Sequence, residues 1–219
     1  MVVLISGRGS NLRAILDAIA NDQLPVQVRA VIANRRDAVG LSYALAAGIP
    51  TEVIDHEKFS SRKEFDCALQ VAIDTFSPQL VVLAGFMRLL TEQFVAHYLG
   101  RLINIHPSLL PAYKGLNTHQ RAIADGAMVH GASVHFVTPE LDGGPIILQA
   151  EVPVLANDNV ASLSDRVLMQ EHVIFPMVLK WFAEQRLELK DKYVYFDNKP
   201  LARPLRWLPS GQLATVSFL

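Results

Sequence analysis

The chain has 219 residues, a formal net charge of −1 and 51% hydrophobic residues, the balance of a globular protein with a substantial core. Near-neutral charge gives no electrostatic case for nucleic-acid or membrane-surface binding and leaves small-molecule partners, a compact anion among them, as the expectation. The single cysteine, Cys67, excludes an internal disulfide and a multi-cysteine metal site. With no basic leader before Met1-Val-Val-Leu-Ile5 and no apolar run near the ~20 residues of a membrane-spanning helix, a cytoplasmic protein is expected.

In chain order, apolar β-rich runs alternate with helical patterns. Strands are predicted at 2–5, 26–32, 52–54, 80–84 and 102–105, and helices at 12–20, 39–47, 62–75 and 92–98. That rhythm reads as βαβ units around a parallel sheet. The mainly apolar runs at 26–32 and 80–84 predict strands covered on both faces, hence a doubly wound, mostly parallel Rossmann-like α/β sheet with helices on both faces. Beyond a loop come a short helix at 118–124, strands at 132–137 and 146–153, and a long helix at 160–185 with Pro176 as an expected kink. Residues 187–219 read as a hairpin and an irregular tail, to which no chemistry is assigned. The expected division is a single domain at 1–186, in halves of about 1–100 and 101–186, followed by that tail.

The most informative stretch is Leu102-Ile-Asn-Ile-His-Pro-Ser-Leu-Leu-Pro111. Side chains alternate along a strand, so Asn104 and His106 face the same way, and Pro107 ends the strand with the imidazole at its edge. An amide donor beside a titratable ring suits stabilisation of charge at a reacting carbonyl, although Asn-x-His alone also fits a structural histidine. Ser6-Gly-Arg-Gly-Ser-Asn11 turns from the first strand into a helix whose N–H groups favour a phosphate. It is neither a dinucleotide fingerprint nor a P-loop, and a glycine turn with a polar cap is the plain alternative. Asp142, in a turn with two glycines and two prolines, reads either as a local turn former or as a third member of a site with Asn104 and His106. Glu171 interrupts the apolar stripe Val167, Ile174, Val178 and Trp181 and invites a hydrogen-bonding ligand unless it lies at an exposed end. Phe86, Met87, Arg88 and Leu89 follow Gly85 at the carboxyl end of a strand, where open α/β sheets bind ligands. No histidine pair has metal-ligand spacing, so no metal is expected. Cys67 reads as a small core residue of its helix.

Together, Ser6-Gly-Arg-Gly-Ser-Asn11, Val82-Leu-Ala-Gly-Phe-Met87, Asn104-Ile-His-Pro-Ser-Leu-Leu-Pro111 and Gly131-Ala-Ser-Val-His-Phe-Val-Thr-Pro-Glu-Leu-Asp-Gly-Gly144 resemble the phosphoribosylglycinamide formyltransferases, folate-dependent enzymes of purine synthesis. The likeness runs from the first strand to about Gln185. It implies a formyltransferase fold and transfer of a formyl group from 10-formyltetrahydrofolate, a co-substrate, to the amine of glycinamide ribonucleotide. It also implies a catalytic triad of Asn104, His106 and Asp142, with His135 close by. Gly9, Ser10 and Asn11 would hold the nucleotide phosphate, Gly85 would lie by the amine, and Glu171 would take the ribose hydroxyls. The folate would lie against Met87, Arg88, Leu89, Leu90, Val137, Glu140 and Leu141, with Arg62 near its glutamate end. Residues 112–131 would form a flexible lid, and the molecule would be a monomer or homodimer.

Four positions depart from the family's usual pattern: Arg8, Asn117, Pro139 and Leu168. None belongs to the triad, and Arg8 is expected to supply phosphate charge that Leu168 cannot. A formyltetrahydrofolate deformylase is the rival enzyme, but it usually has a regulatory domain and a His where this chain has Pro107. Methionyl-tRNA formyltransferase normally adds an RNA-binding barrel and a basic surface. A non-catalytic nucleotide-binding module would explain the glycine loop and leave the triad without purpose.

Overall fold

The computed structural model describes all of residues 1–219, which pack as two compact units, Met1–Asn104 and Ile105–Leu219. The first unit is a parallel sheet built from β1 (Val2–Ile5), β2 (Ala30–Ala33), β3 (Thr51–Val53), β4 (Val81–Leu83) and the first half of β5 (Leu102–His106), in the order β3-β2-β1-β4-β5. Val2 pairs with Ala30 on one side and Val81 on the other, and Val81 pairs with Leu102. Every residue of β1, β2 and β4 is buried, the signature of strands covered on both faces. Its helices are α1 (Ser10–Ala20), α2 (Leu41–Ala46), α3 (Arg62–Thr75) and α4 (Glu92–His97). Helix α3 starts where Ser61 accepts from Glu64 N–H while the Glu64 carboxylate accepts from Ser60, and it buries Phe65, Leu69, Ala72 and Ile73 on one face.

The second unit begins with the last two residues of β5. Next to β5 lies β6 (Val129–Phe136), which forms an antiparallel pair with β7 (Ile146–Pro153), broken by a register shift between Val134 and His135. Two helices belong to this unit, α5 (Thr118–Ala124) and α6 (Val160–Ala183). Asn159 caps α6 by accepting from Ala161 and Ser162 N–H, and the helix is continuous through Pro176. A three-stranded antiparallel sheet of β8 (Leu187–Lys190), β9 (Tyr193–Phe196) and β10 (Lys199–Pro200) follows.

Several expectations need correction. The second strand starts at Ala30, because its ladder with β1 begins at the Val2–Ala30 pair, Arg29 N–H only bonding the Met1 carbonyl ahead of it. Strand β6 starts three residues earlier than expected, and α6 stops at Ala183 because Gln185 takes a left-handed φ of 58°. Cys67 is exposed: α3 buries the opposite face, and the thiol is no part of the core. The tail is not irregular throughout, since β11 (Leu205–Trp207) adds to β7 in parallel and covers an edge that would otherwise offer unpaired backbone groups. No helix is long and apolar enough to cross a membrane.

Candidate active site

Strand β5 places Asn104 and His106 on one side, as alternation requires. His106 ends the strand and is buried. Its Nδ1 lies 3.5 Å from Asp142 Oδ2, and its Nε2 donates to the Tyr113 carbonyl at 3.0 Å. Both ring nitrogens therefore face oxygen acceptors. Asp142 Oδ2 also accepts from Gly115 N–H at 2.8 Å, and its Oδ1 lies 3.8 Å from His135 Nε2. His135 donates from Nδ1 to the Phe136 carbonyl at 2.9 Å. Burial pushes its pKa down to about 4, against the smaller upward pull of the Phe136 carbonyl and Asp142, so its ring is neutral near pH 7.

Asp142 reaches this position because 137–144 is a tight connection. Phe136 N–H donates to the Pro145 carbonyl and Gly143 N–H to that of Glu140, with Asp142 at φ 46°. A side chain at Gly144 would put a Cβ 1.8 Å from the Phe136 carbonyl oxygen, so only glycine closes the turn. On the other side, 107–115 is pinned by buried hydroxyls. Ser133 donates to the Ser108 carbonyl and accepts from Leu110 N–H, while Gln149 Nε2 donates to Ser133 and to the Leu110 carbonyl. Lys114 pairs with Glu140 at 2.6 Å, tying the loop to the turn that carries Asp142. Nearby, His130 Nε2 and His119 Nδ1 are 3.1 Å apart; burial lowers both pKa values, that of His130 to about 4.

In the first unit, Gly9 leads into α1 with φ 72°, and a Cβ there would sit 2.5 Å from the Gly40 Cα. Two glycines thus let the turn after β1 touch the loop after β2. No side chain caps α1 through Gly9; Ser10 opens the helix and Asn11 is buried in its first turn. The stretch after β4 is held by Ser6, whose N–H donates to the Gly85 carbonyl and whose Oγ accepts from Met87 N–H at 2.7 Å. Phe86 is buried, while Met87 and Leu89 are 66% and 51% exposed. The Arg88 guanidinium lies 5.9 Å from the Phe65 ring centre.

Residues 1–179 match the model of the formyl transferase family. The chain belongs to the formyl transferase family. This formyltransferase is 52% identical to the phosphoribosylglycinamide formyltransferase of Escherichia coli K12 over 201 residues, 92% of this chain and 95% of the relative. It is 47% identical to part of the human trifunctional purine biosynthetic protein adenosine-3, covering 86% of this chain and 19% of that protein. The solved phosphoribosylglycinamide formyltransferase of Coxiella burnetii superposes with a TM-score of 0.88 at 55% identity, covering 92% of this chain and 94% of that one.

The formyltransferase brings His106, Asp142 and His135 together, with Asn104 two residues back on the same side of β5. Val137 is half-buried in the turn that carries Asp142; Glu140 and Leu141 are exposed there, and Leu90 is half-buried. Arg62 is exposed in the first turn of α3. Glu171 is buried, which removes the exposed-end alternative for it. Sequence reasoning missed Ser6, Asp66, Ser133 and Gln149, whose polar atoms hold the site loops. Asp66 had a legible signal: it interrupts the apolar face of α3 as Glu171 interrupts that of α6.

Proposed function

We propose that the chain transfers the formyl group of 10-formyltetrahydrofolate to the amine of glycinamide ribonucleotide, giving formylglycinamide ribonucleotide and tetrahydrofolate in purine synthesis. Family membership and the names of its close relatives support the reaction. The observation that carries the residue roles is the buried His106–Asp142 pair at the end of β5. As the amine attacks, the formyl C=O electrons move onto oxygen, and His106 Nε2 with the Asn104 amide stabilises that charge. Asp142 holds the charged form of His106 and takes a proton from the attacking nitrogen through water. Collapse of the adduct breaks the bond between the formyl carbon and the folate nitrogen, which leaves with the proton that Asp142 returns through water. The Tyr113 carbonyl already receives the Nε2 donor at 3.0 Å and stands in for that oxyanion, so the 113–115 segment has to yield for the substrate to enter.

The remaining roles follow the same reading. Gly9, Ser10 and Asn11 take the phosphate, Glu171 the ribose hydroxyls, and Gly85 lies by the amine. Met87, Arg88, Leu89, Leu90, Val137, Glu140 and Leu141 hold the folate, with Arg62 at its glutamate end. The exposed apolar side chains of Met87 and Leu89 fit a flat heterocycle better than they fit water. The test is to incubate the protein with 10-formyltetrahydrofolate, with and without glycinamide ribonucleotide, and to follow tetrahydrofolate release and nucleotide formylation. Turnover that requires the nucleotide is expected; folate release without it would make the chain a deformylase, and silence in both would overturn the enzymatic reading.

A further inference from the structure

Asp66 is 2% exposed on α3, and its Oδ2 accepts from Thr91 N–H at 2.6 Å. Thr91 caps α4, its Oγ1 accepting from Phe94 N–H. In a capping box the N–H of the cap residue is satisfied by a Glu or Gln three residues on. Here that position is Phe94, so the acceptor comes from another helix, 25 residues away in sequence. The other Asp66 oxygen, Oδ1, is buried with no hydrogen-bond partner. A half-satisfied buried carboxylate costs stability relative to an apolar residue, so fold stability alone does not account for it.

What Asp66 grips is the far end of the segment that Ser6 grips at its start. Ser6 Oγ accepts from Met87 N–H at 2.7 Å, and Asp66 accepts from Thr91 N–H, with Arg88 lying over Phe65, the neighbour of Asp66, between them. The five residues 87–91 are thus fixed at both ends by buried acceptors, while Met87 and Leu89 project outward. We infer that Ser6 and Asp66 are positioning residues which set the backbone of this segment for the folate, an inference that rests on the proposed function. Ser6 also opens the glycine turn, so one residue adjusts the folate segment and joins it to the proposed phosphate loop.

The experiment is calorimetric titration of the full chain with tetrahydrofolate, alongside steady-state kinetics, for wild type, Asp66→Ala, Asp66→Asn and Ser6→Ala. Loss of one charge-assisted backbone bond is expected to weaken tetrahydrofolate binding about tenfold in Asp66→Ala. The KM for 10-formyltetrahydrofolate should rise by the same factor, while the KM for glycinamide ribonucleotide stays near wild type. Asp66→Asn keeps an oxygen for Thr91 N–H and is expected to restore most of the folate affinity at similar melting temperature. Ser6→Ala should weaken folate binding in the same direction. Folate affinity unchanged in both alanine variants would overturn the inference, as would an Asp66→Ala that lowers melting temperature and active fraction alone. Wild type failing to bind tetrahydrofolate would instead sink the proposed function.

Discussion

Replacing Asp142 with Asn tests the charge pairing while keeping the shape of the turn. The amide oxygen still accepts from Gly115 N–H, which Asp142 Oδ2 receives at 2.8 Å, so the loop stays docked and lost activity reports lost charge. Asp142 Oδ2 stands 3.5 Å from His106 Nδ1, with both side chains about nine-tenths buried. Unit charges at that distance interact by roughly 5 kcal/mol at an effective dielectric near 20. Desolvation offsets part of this, and a net loss of about 2–3 kcal/mol in the transition state corresponds to a fall of about a hundredfold in kcat. The assay is initial-rate tetrahydrofolate release at saturating nucleotide and folate, with melting temperature measured in parallel. A kcat within about threefold of wild type would refute the pairing argument, because a transition-state interaction of this size has to appear in kcat. A rise in KM alone would make Asp142 a binding group and nothing more.

Three further outcomes are expected. Gly144→Ala forces a Cβ to within 1.8 Å of the Phe136 carbonyl, so backbone must shift; a loss of roughly 1–3 kcal/mol in chemical unfolding is expected, together with reduced kcat as Asp142 moves, and an unaltered unfolding midpoint would contradict the close approach. His135 has a pKa of about 4 in the fold against an ordinary 6.5. Between those values the unfolded chain binds a proton that the folded chain refuses, so stability falls as pH drops through 6.5 and levels off near 4, by about 3 kcal/mol from this residue. His135→Gln should flatten that slope in a denaturation series from pH 7 to 4.5, and an identical slope would remove His135 as its source. Arg8→Ala should weaken glycinamide ribonucleotide binding severalfold in low salt, with the gap closing at high salt; an unaltered dissociation constant would dismiss Arg8 from phosphate binding.

Much of the framework was legible because it depends on local patterning. The bounds of α3, α5 and β7 are those expected, since a cap at Ser61, a polar break before Thr118 and a glycine-proline connection before Ile146 are written in adjacent residues. The 26–32 run reads as one strand because Val26 and Val28 are strand formers in composition, yet the ladder partners of β1 begin only at Ala30. Cys67 reads as core on residue type, but helical phase decides burial, and Phe65, Asp66 and Leu69 hold the inward face. Asn104 and His106 were legible as a pair because a strand makes them neighbours. Asp142 was legible only as an option: its distance from His106 is set by a turn closed at Phe136 and Pro145, far along the chain from the strand that carries the histidine.

The residues that escaped sequence reasoning share one physical property: each bonds to backbone, with Ser133 and Gln149 bonded to each other as well. Ser6 and Met87 are 81 residues apart, Gln149 and Leu110 are 39 apart, and Ser133 and Ser108 are 25 apart. A backbone partner carries no residue identity, so no motif marks the other end of such a bond. It is the economical way to place a reactive group, because fixing the main chain on either side of His106 and Asp142 fixes their rotamers as well. A serine that donates once and accepts twice, as Ser133 does, has its hydrogen-bonding capacity filled and resists rotation. The placement of the imidazole and the carboxylate therefore rests on hydroxyl and amide groups in the loops around them, and substitution of those groups should misplace the pair without changing its composition.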